Sequence, residues 1–375
     1  MINQERILAE FCELVRLGCA SKAERETGDT VKVKLAAAGL TVSEDDVAGK
    51  IGGNCGNIFG FLPGTLPQAP KLMLSAHLDS VDPCAGIEPV VRDGMVVSGG
   101  DTVLGADDKA GIVGILEALR VVREQNLPHG DIQVVFSVSE EAGLSGSKNM
   151  DRYLLKADFG YILDSGGAPG GIVNAAPGQN NIKVIVRGKS AHAGVAPEEG
   201  INAIVVAGKA MAQLKQGRID AETTANVGII SGGKATNIVP DYVEISCEAR
   251  SRDLAKLEAQ TKHMVETFEQ VAAANGARAE VSVTRMYEPF VLAEDTPVIS
   301  LIRQAAASVG LESPIGPTGG GSDANYFNLY GVPSAVLSVG MAKVHTNDEY
   351  IKVEDLNKTA ELVVALIATA AKKAG

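Results

Sequence analysis

KLMLSAHLDS at 71–80, DDKAGIVGILEALRVVREQ at 107–125 and DIQVVFSVSEE at 131–141 decide the fold. The first and third open on short, mostly apolar runs, at 71–76 and 131–138, which read as buried strands. In the second, Ile112, Leu116, Leu119 and Val122 recur at helical spacing, and the acids that open it suit a helix N-terminus. Strand, helix, strand in that order is a βαβ unit and implies a mostly parallel sheet. FGYIL at 159–163 and SAVLSV at 334–339 supply further strands of the same character, and 353–373 reads as a closing helix.

The middle of the chain is patterned differently. A strand at 181–187 is followed by a helix that opens at Pro197-Glu198-Glu199 and stops before Gly217, with Pro at the start and Gly past the end. Strands at 225–230 and 242–249, a helix at 254–274 and a strand at 279–286 complete a β-α-β-β-α-β order, which is ferredoxin-like. The expected organisation is therefore an α/β domain with a mixed, mostly parallel sheet flanked by helices, formed by 1–179 and 291–375. A ferredoxin-like α+β domain at 180–290 is inserted into it.

Composition excludes several classes. With 34 Lys plus Arg against 46 Asp plus Glu, the formal net charge of −12 argues against a nucleic-acid partner. No apolar run reaches the roughly 18 residues of a membrane span, and the start MINQERILAEF lacks the order of a signal peptide. A cytoplasmic protein is expected, with five cysteines that form no CxxC pair. The GKS at 188–190 has Lys183 where a phosphate-binding loop needs glycine, and no GxSxG elbow is present.

Polar residues cluster where an open parallel sheet binds ligands, beyond the carboxyl ends of its strands. One apolar run leads into His77 and Asp79, a second into Glu140 and Glu141, a third into Asp164, and the last is followed by His345. Asp107, at the start of the helix after the first of those strands, can face the same rim. Taken singly, a His after a strand or an acid pair is ordinary surface. Their recurrence at successive strand ends makes a donor set of imidazole and carboxylate, which suits zinc and related cations.

These segments, in this order, resemble a known family. HLD at 77–79, GADDKAG at 105–111, Glu140-Glu141, Asp164, GGGSDAN at 319–325 and His345 are similar to the motifs of the dizinc aminopeptidase and carboxypeptidase family, which also includes acetylornithine and succinyl-diaminopimelate deacylases. DTVLGADDKAG and VHTNDEY resemble its tripeptidase branch most. The resemblance implies a phosphorylase/hydrolase-like zinc peptidase catalytic domain and an inserted lid or dimerisation domain. It implies two divalent metal ions, zinc first with manganese or cobalt as alternatives: His77 and Asp164 on one, Glu141 and His345 on the other, Asp107 bridging. It also implies Glu140 as general base, Asp79 as the residue that orients His77, and a cis peptide between Asp107 and Asp108.

In the inserted domain, SAHAG at 190–194 resembles the family's lid histidine, so His192 is expected to stabilise the oxyanion. Asn237 and Arg250 are expected to bind substrate, Arg250 through a bidentate pair with a carboxylate. The glycines at 319–321 are expected to let backbone approach substrate closely. His129 and His263 are expected on the surface. The implied activity is hydrolysis of the N-terminal peptide bond of short peptides, with a homodimer as a possible assembly. N-acyl amino acid deacylation or carboxypeptidase action are the alternatives within the family, and a non-catalytic metal-binding protein is the alternative outside it.

Overall fold

The computed structural model describes residues 1–374, and these form two compact units: Met1–Ala175 with Leu292–Pro317 and the described residues from Ser322 onward, and Ala176–Val291 with Thr318–Gly321. In the first unit, the strands Ile132–Ser137, Leu72–His77, Phe159–Ser165 and Ser334–Ser338 lie side by side in that order, all parallel. Ile58–Leu62 adds antiparallel beyond Ile132–Ser137, Thr41–Glu44 pairs antiparallel with it, and Ile172–Ala176 runs antiparallel to Ser334–Ser338. The sheet is thus mixed with a parallel centre. Every residue of Leu72–His77 and Ile132–Ser137 is buried, which is why those strands read as mostly apolar runs.

The helix Ala106–Glu124 is buried almost all round, because the sheet lies on one side and the helices Gln4–Arg16 and Val353–Ala371 pack on it as well. A Cβ at Gly111 would come within 2.4 Å of the Leu163 carbonyl oxygen, so glycine lets this helix lie directly on the strand that carries Asp164. The N-terminal helix is fastened to it by charge. The fully buried Glu117 carboxylate accepts from Arg6 Nε at 2.6 Å, Arg6 Nη2 at 2.9 Å and the Asn3 N–H at 2.7 Å. A small antiparallel sheet joins Pro89–Arg92, Met95–Ser98 and Tyr350–Lys352, with Tyr350 opposite Val97 and Lys352 opposite Met95.

The second unit is a five-stranded antiparallel sheet in the order Gly217–Arg218, Thr223–Gly232, Tyr242–Ser251, Gly178–Arg187, Arg278–Tyr287. Tyr242–Ser251 and Gly178–Arg187 alternate buried and accessible residues, and the buried side packs against Ala203–Met211 and Leu254–Ala274 around Ile182, Val184, Val243, Ile245, Met264 and Phe268. Apart from the two-residue Gly217–Arg218, the β-α-β-β-α-β order is as expected.

Two details differ from the sequence reading. Pro197–Glu199 forms only a single 3-10 turn, and the helix starts at Ala203, where the Asn202 side chain accepts the Val205 N–H at 3.1 Å. Between them Ile201 is held in a bridge with Lys189, which breaks any continuous helix. His129 is buried rather than on the surface, 5% exposed, with Nδ1 2.7 Å from the Gly130 carbonyl oxygen. Among the described residues no helix is long and apolar enough to cross a membrane.

Candidate metal centre

The rim residues converge. His77 closes its strand, 2% exposed, and its Nε2 lies 3.0 Å from Asp107 Oδ1 and 3.7 Å from Asp164 Oδ1. The other oxygen of Asp107, Oδ2, lies 3.3 Å from Nε2 of His345, which is itself 2.8 Å from Glu141 Oε1. One carboxylate therefore offers one oxygen toward each imidazole. Three overlapping donor groups result: His77, Asp107 and Asp164; His77, Glu140 and Glu141; Asp107, Glu141 and His345. This is the donor chemistry of a pair of divalent cations, so the residues present fit the metals that the resemblance implies.

Local backbone explains the aim of these side chains. The strand ends at Ser137, and Ser139 then takes a left-handed φ of 52°, so Glu140 and Glu141 sit on a turn rather than on the strand. His345 is also left-handed, at φ 64°, and the Asp107–Asp108 peptide is cis. Non-glycine residues in the left-handed region are uncommon and gather at functional sites.

A second set of carboxylates holds these segments, and all of them are buried. Asp79 accepts the N–H groups of Glu140 at 3.0 Å and Glu141 at 3.2 Å, and the Ser21 hydroxyl at 2.6 Å. His77 Nδ1 lies nearer the Asp79 carbonyl oxygen, 3.1 Å, than its carboxylate, 3.4 Å. Asp79 thus touches His77 mainly through backbone and uses its side chain on the glutamate pair. Glu24 accepts the N–H of Ser139 at 2.9 Å and its hydroxyl at 2.8 Å. Asp108 accepts the His77 N–H at 3.2 Å, and Asp323 accepts the hydroxyls of Ser137 and Ser147. Glu349 accepts three N–H groups, of Leu104, Gly105 and Asp107. Sequence reasoning assigned no role to Glu24, Asp108, Asp323 or Glu349. The last three lie inside the quoted motifs, and that position was the one signal available.

Charge follows from this crowding. Burial opposes protonation of His77, but bonds to Asp107, Asp164 and Asp79 outweigh it and push its pKa well up. Bonds to Asp107 and Glu141 raise His345 to about 10 against a smaller effect of burial. Burial, with the charges of Asp107 and Glu141, lifts Asp164 to about 7. Glu140 is pushed well up by burial and then by the charges of Asp164, Asp323 and Glu141. Burial also disfavours ionisation of Asp107, yet its bonds to His345 and His77 hold it below the usual carboxylate range. The cluster draws cations, here the imidazoliums themselves.

The remaining candidates belong to the second unit. His192 and Asn237 are exposed; His192 pairs with Ile238 in an antiparallel bridge, and the Ala193 N–H donates to the Asn237 carbonyl at 3.0 Å. His192 Nδ1 accepts the Gly194 N–H at 3.2 Å. Arg250 turns one edge of its guanidinium to Glu248, with Nε and Nη2 each at 3.0 Å, and directs Nη1 toward the Gly319 carbonyl at 3.5 Å. Of the glycine run, Gly321 lies against the Tyr287 ring, which a Cβ would meet at 2.4 Å; its close approach is to that ring. His263 lies on the helix Leu254–Ala274, half-buried, and accepts the Lys215 N–H at 3.2 Å.

Imidazoles and carboxylates gathered at the rim of a parallel sheet define a metal-dependent hydrolase. The chain belongs to the peptidase family M20/M25/M40, whose sequence profile matches residues 73–369, and it is a metallopeptidase of that family. It is 46% identical to the aminopeptidase PepT from Bacillus cereus ATCC 10987, with a TM-score of 0.93 over 99% of each chain. It is 41% identical to a tripeptidase from Staphylococcus aureus subsp. aureus mu50, with a TM-score of 0.96 over 99% of this chain and all of that one. The protein YqjE of Bacillus subtilis (strain 168) is 45% identical across 99% of this chain and 100% of its own length.

Proposed function

We propose that the protein is a dinuclear-metal aminopeptidase that removes the N-terminal residue from short peptides, tripeptides foremost. The observation that carries this reading is similarity over the whole chain, at 46% and 41% identity, to proteins described as an aminopeptidase and a tripeptidase. His77 and Asp164 would hold one cation, Glu141 and His345 the other, and Asp107 both; its one-oxygen-to-each-imidazole geometry supports the bridging role. Zinc suits these nitrogen and oxygen donors, which manganese and cobalt also accept. When bound, such a pair supplies Lewis-acid activation of water and of the scissile carbonyl.

The chain's own residues do the rest. Glu140, buried and raised in pKa, takes a proton from water and returns it to the leaving amine. Asp79 fixes Glu140 through the backbone bond described above. His192 would donate to the developing oxyanion, Asn237 would hydrogen-bond substrate, and Arg250 would receive a substrate carboxylate through its Nη1 side. The five free cysteines suit a reducing cytoplasm. A homodimer is proposed through the inserted unit, whose strand Thr223–Gly232 carries exposed Ile229 and Ile230.

The test is one panel of free-amino dipeptides and tripeptides alongside N-acyl amino acids and C-terminally varied peptides, with zinc, manganese or cobalt, before and after chelation. Metal-dependent release of the N-terminal residue from tripeptides is expected. Turnover confined to acylated amino acids moves the reading to a deacylase, release from the C-terminus moves it to a carboxypeptidase, and metal uptake without turnover leaves a binding protein.

A further inference from the structure

Glu349 is a carboxylate that ties together the proposed ligand segments of His345 and Asp107, which lie on opposite sides of the inserted unit in the sequence. It is 1% exposed and stands four residues beyond His345. Its Oε2 accepts the N–H groups of Leu104 and Gly105, both at 2.8 Å, and its Oε1 accepts that of Asp107 at 3.0 Å. These amides open the helix Ala106–Glu124, where no carbonyl of the preceding turn is available to them. Both oxygens are therefore spent on the segment that presents Asp107.

The same residue is locked to the His345 loop. Ala342 and Tyr350 exchange N–H and carbonyl bonds at 3.0 and 3.1 Å, closing the loop, and the Glu349 N–H donates to Thr346 at 3.1 Å. Tyr350–Lys352 then registers on Met95–Ser98, so the position of Glu349 along the chain is fixed by a sheet. The His77 side is built otherwise. His77 and Asp164 sit on neighbouring buried strands, His77 is 2% exposed, and its backbone and ring are held by Asp108 and Asp79. His345, 51% exposed in its side chain, has no such strand beneath it.

We propose that Glu349 is a positioning residue of the metal centre, setting Asp107 against His345 and so governing occupancy of the Glu141–His345 position far more than that of the His77–Asp164 position. The inference rests on the ligand assignment above. Substitution of Glu349 leaves three buried amides of the Asp107 segment short of acceptors; the His77–Asp164 position keeps its own supports from Asp108, Asp79 and neighbouring strands, whereas the Glu141–His345 position loses the tie between its loop and Asp107.

The experiment is calorimetric titration of the metal-free full-length chain with zinc, with melting of the metal-free protein recorded in parallel. Wild type takes up two equivalents. Glu349→Gln, which keeps one acceptor oxygen, retains its tighter equivalent within about threefold and weakens the second by roughly 10- to 100-fold, the scale of lost support behind a metal ligand. Glu349→Asp, with the charge but not the reach, shows the same order. Equal weakening of both equivalents, or of neither, overturns the proposal. Hydrogen exchange on the wild type needs no variant: the Leu104, Gly105 and Asp107 amides are protected before metal is added. Protection that appears only with metal means that the cation organises the segment, and the proposal fails. A wild type that takes up fewer than two equivalents overturns the ligand assignment, and the role of Glu349 with it.

Discussion

In the first unit His77, Asp79, Asp107 and Glu140 are buried, and the segments around them are held by further buried carboxylates. In the second unit His192 and Asn237 lie on exposed turns joined by a backbone bond, and Arg250 is half-buried beside Glu248. The difference separates two requirements. Metal ligands, the role proposed for His77 and Asp107, gain from a geometry fixed before the cation arrives, and the buried carboxylates behind them supply that. Residues that meet a flexible peptide gain from accessibility, and a turn held by main-chain bonds leaves their side chains available.

Substitutions should divide along the same line. The largest effect is expected for Asp107→Ala, which removes the one side chain proposed to serve both cations; metal analysis after dialysis should find both lost and peptide turnover at background. Retention of both metals would break the bridging assignment. Glu140→Gln should lower kcat by roughly 10²–10⁴-fold while metal content stays at the wild-type level. Loss of metal in that variant would mean that Glu140 and Glu141 exchange roles.

In the second unit the metal content should never change. His192→Ala is expected to reduce kcat by about 10²-fold, the scale of one oxyanion donor, measured with metal saturating. Arg250→Ala should raise KM about tenfold with kcat nearly constant, because a substrate carboxylate is held equally in ground and transition states. A fall in bound metal in either variant would erase the contrast between the units.

The smallest expected effect is on pH. In the metal-free chain His345, near 10, and His77, also raised, carry protons at neutral pH, and Asp164, near 7, is about half protonated. Cations need these groups deprotonated, so uptake releases protons and affinity rises with pH; it weakens as pH falls below about 10, where His345 takes up its proton, and more steeply below about 7, where Asp164 does. Calorimetry in buffers of different protonation enthalpy should show proton release; proton uptake would contradict the charge state described.

Much of this was legible in the sequence. The central strands announced themselves because burial on both faces favours mostly apolar runs, and the acids and histidines just past them stood out for the same reason. The helix at 254–274 was equally plain, with Asp253 capping it at Lys256 N–H. The start of Ala203–Met211 was misread because Pro197 and two acids make a good helix opening locally, while the bridge of Ile201 to Lys189 is a tertiary choice. His129 looked exposed in a polar turn, although the long-range partner Thr65 draws that turn inward. Glu24, Asp108, Asp323 and Glu349 stayed silent for a deeper reason. An acid that accepts amides from a distant loop has the same letter as one facing water, and only the fold supplies its donors.

The ligand segments are split by the inserted unit, with His77, Asp107, Glu141 and Asp164 before it and His345 after it. This sets a clock on maturation. As the chain leaves the ribosome at about 5–20 residues per second, the three donors His77, Asp107 and Asp164 emerge first, and the whole second unit is made before His345 appears. Strand Ser334–Ser338, which completes the parallel centre beside Phe159–Ser165, arrives in that same last stretch. Under the proposed assignment, one position has all its donors before the inserted unit is made and the other only after it, so peptide cleavage has to wait for the segment that follows that unit.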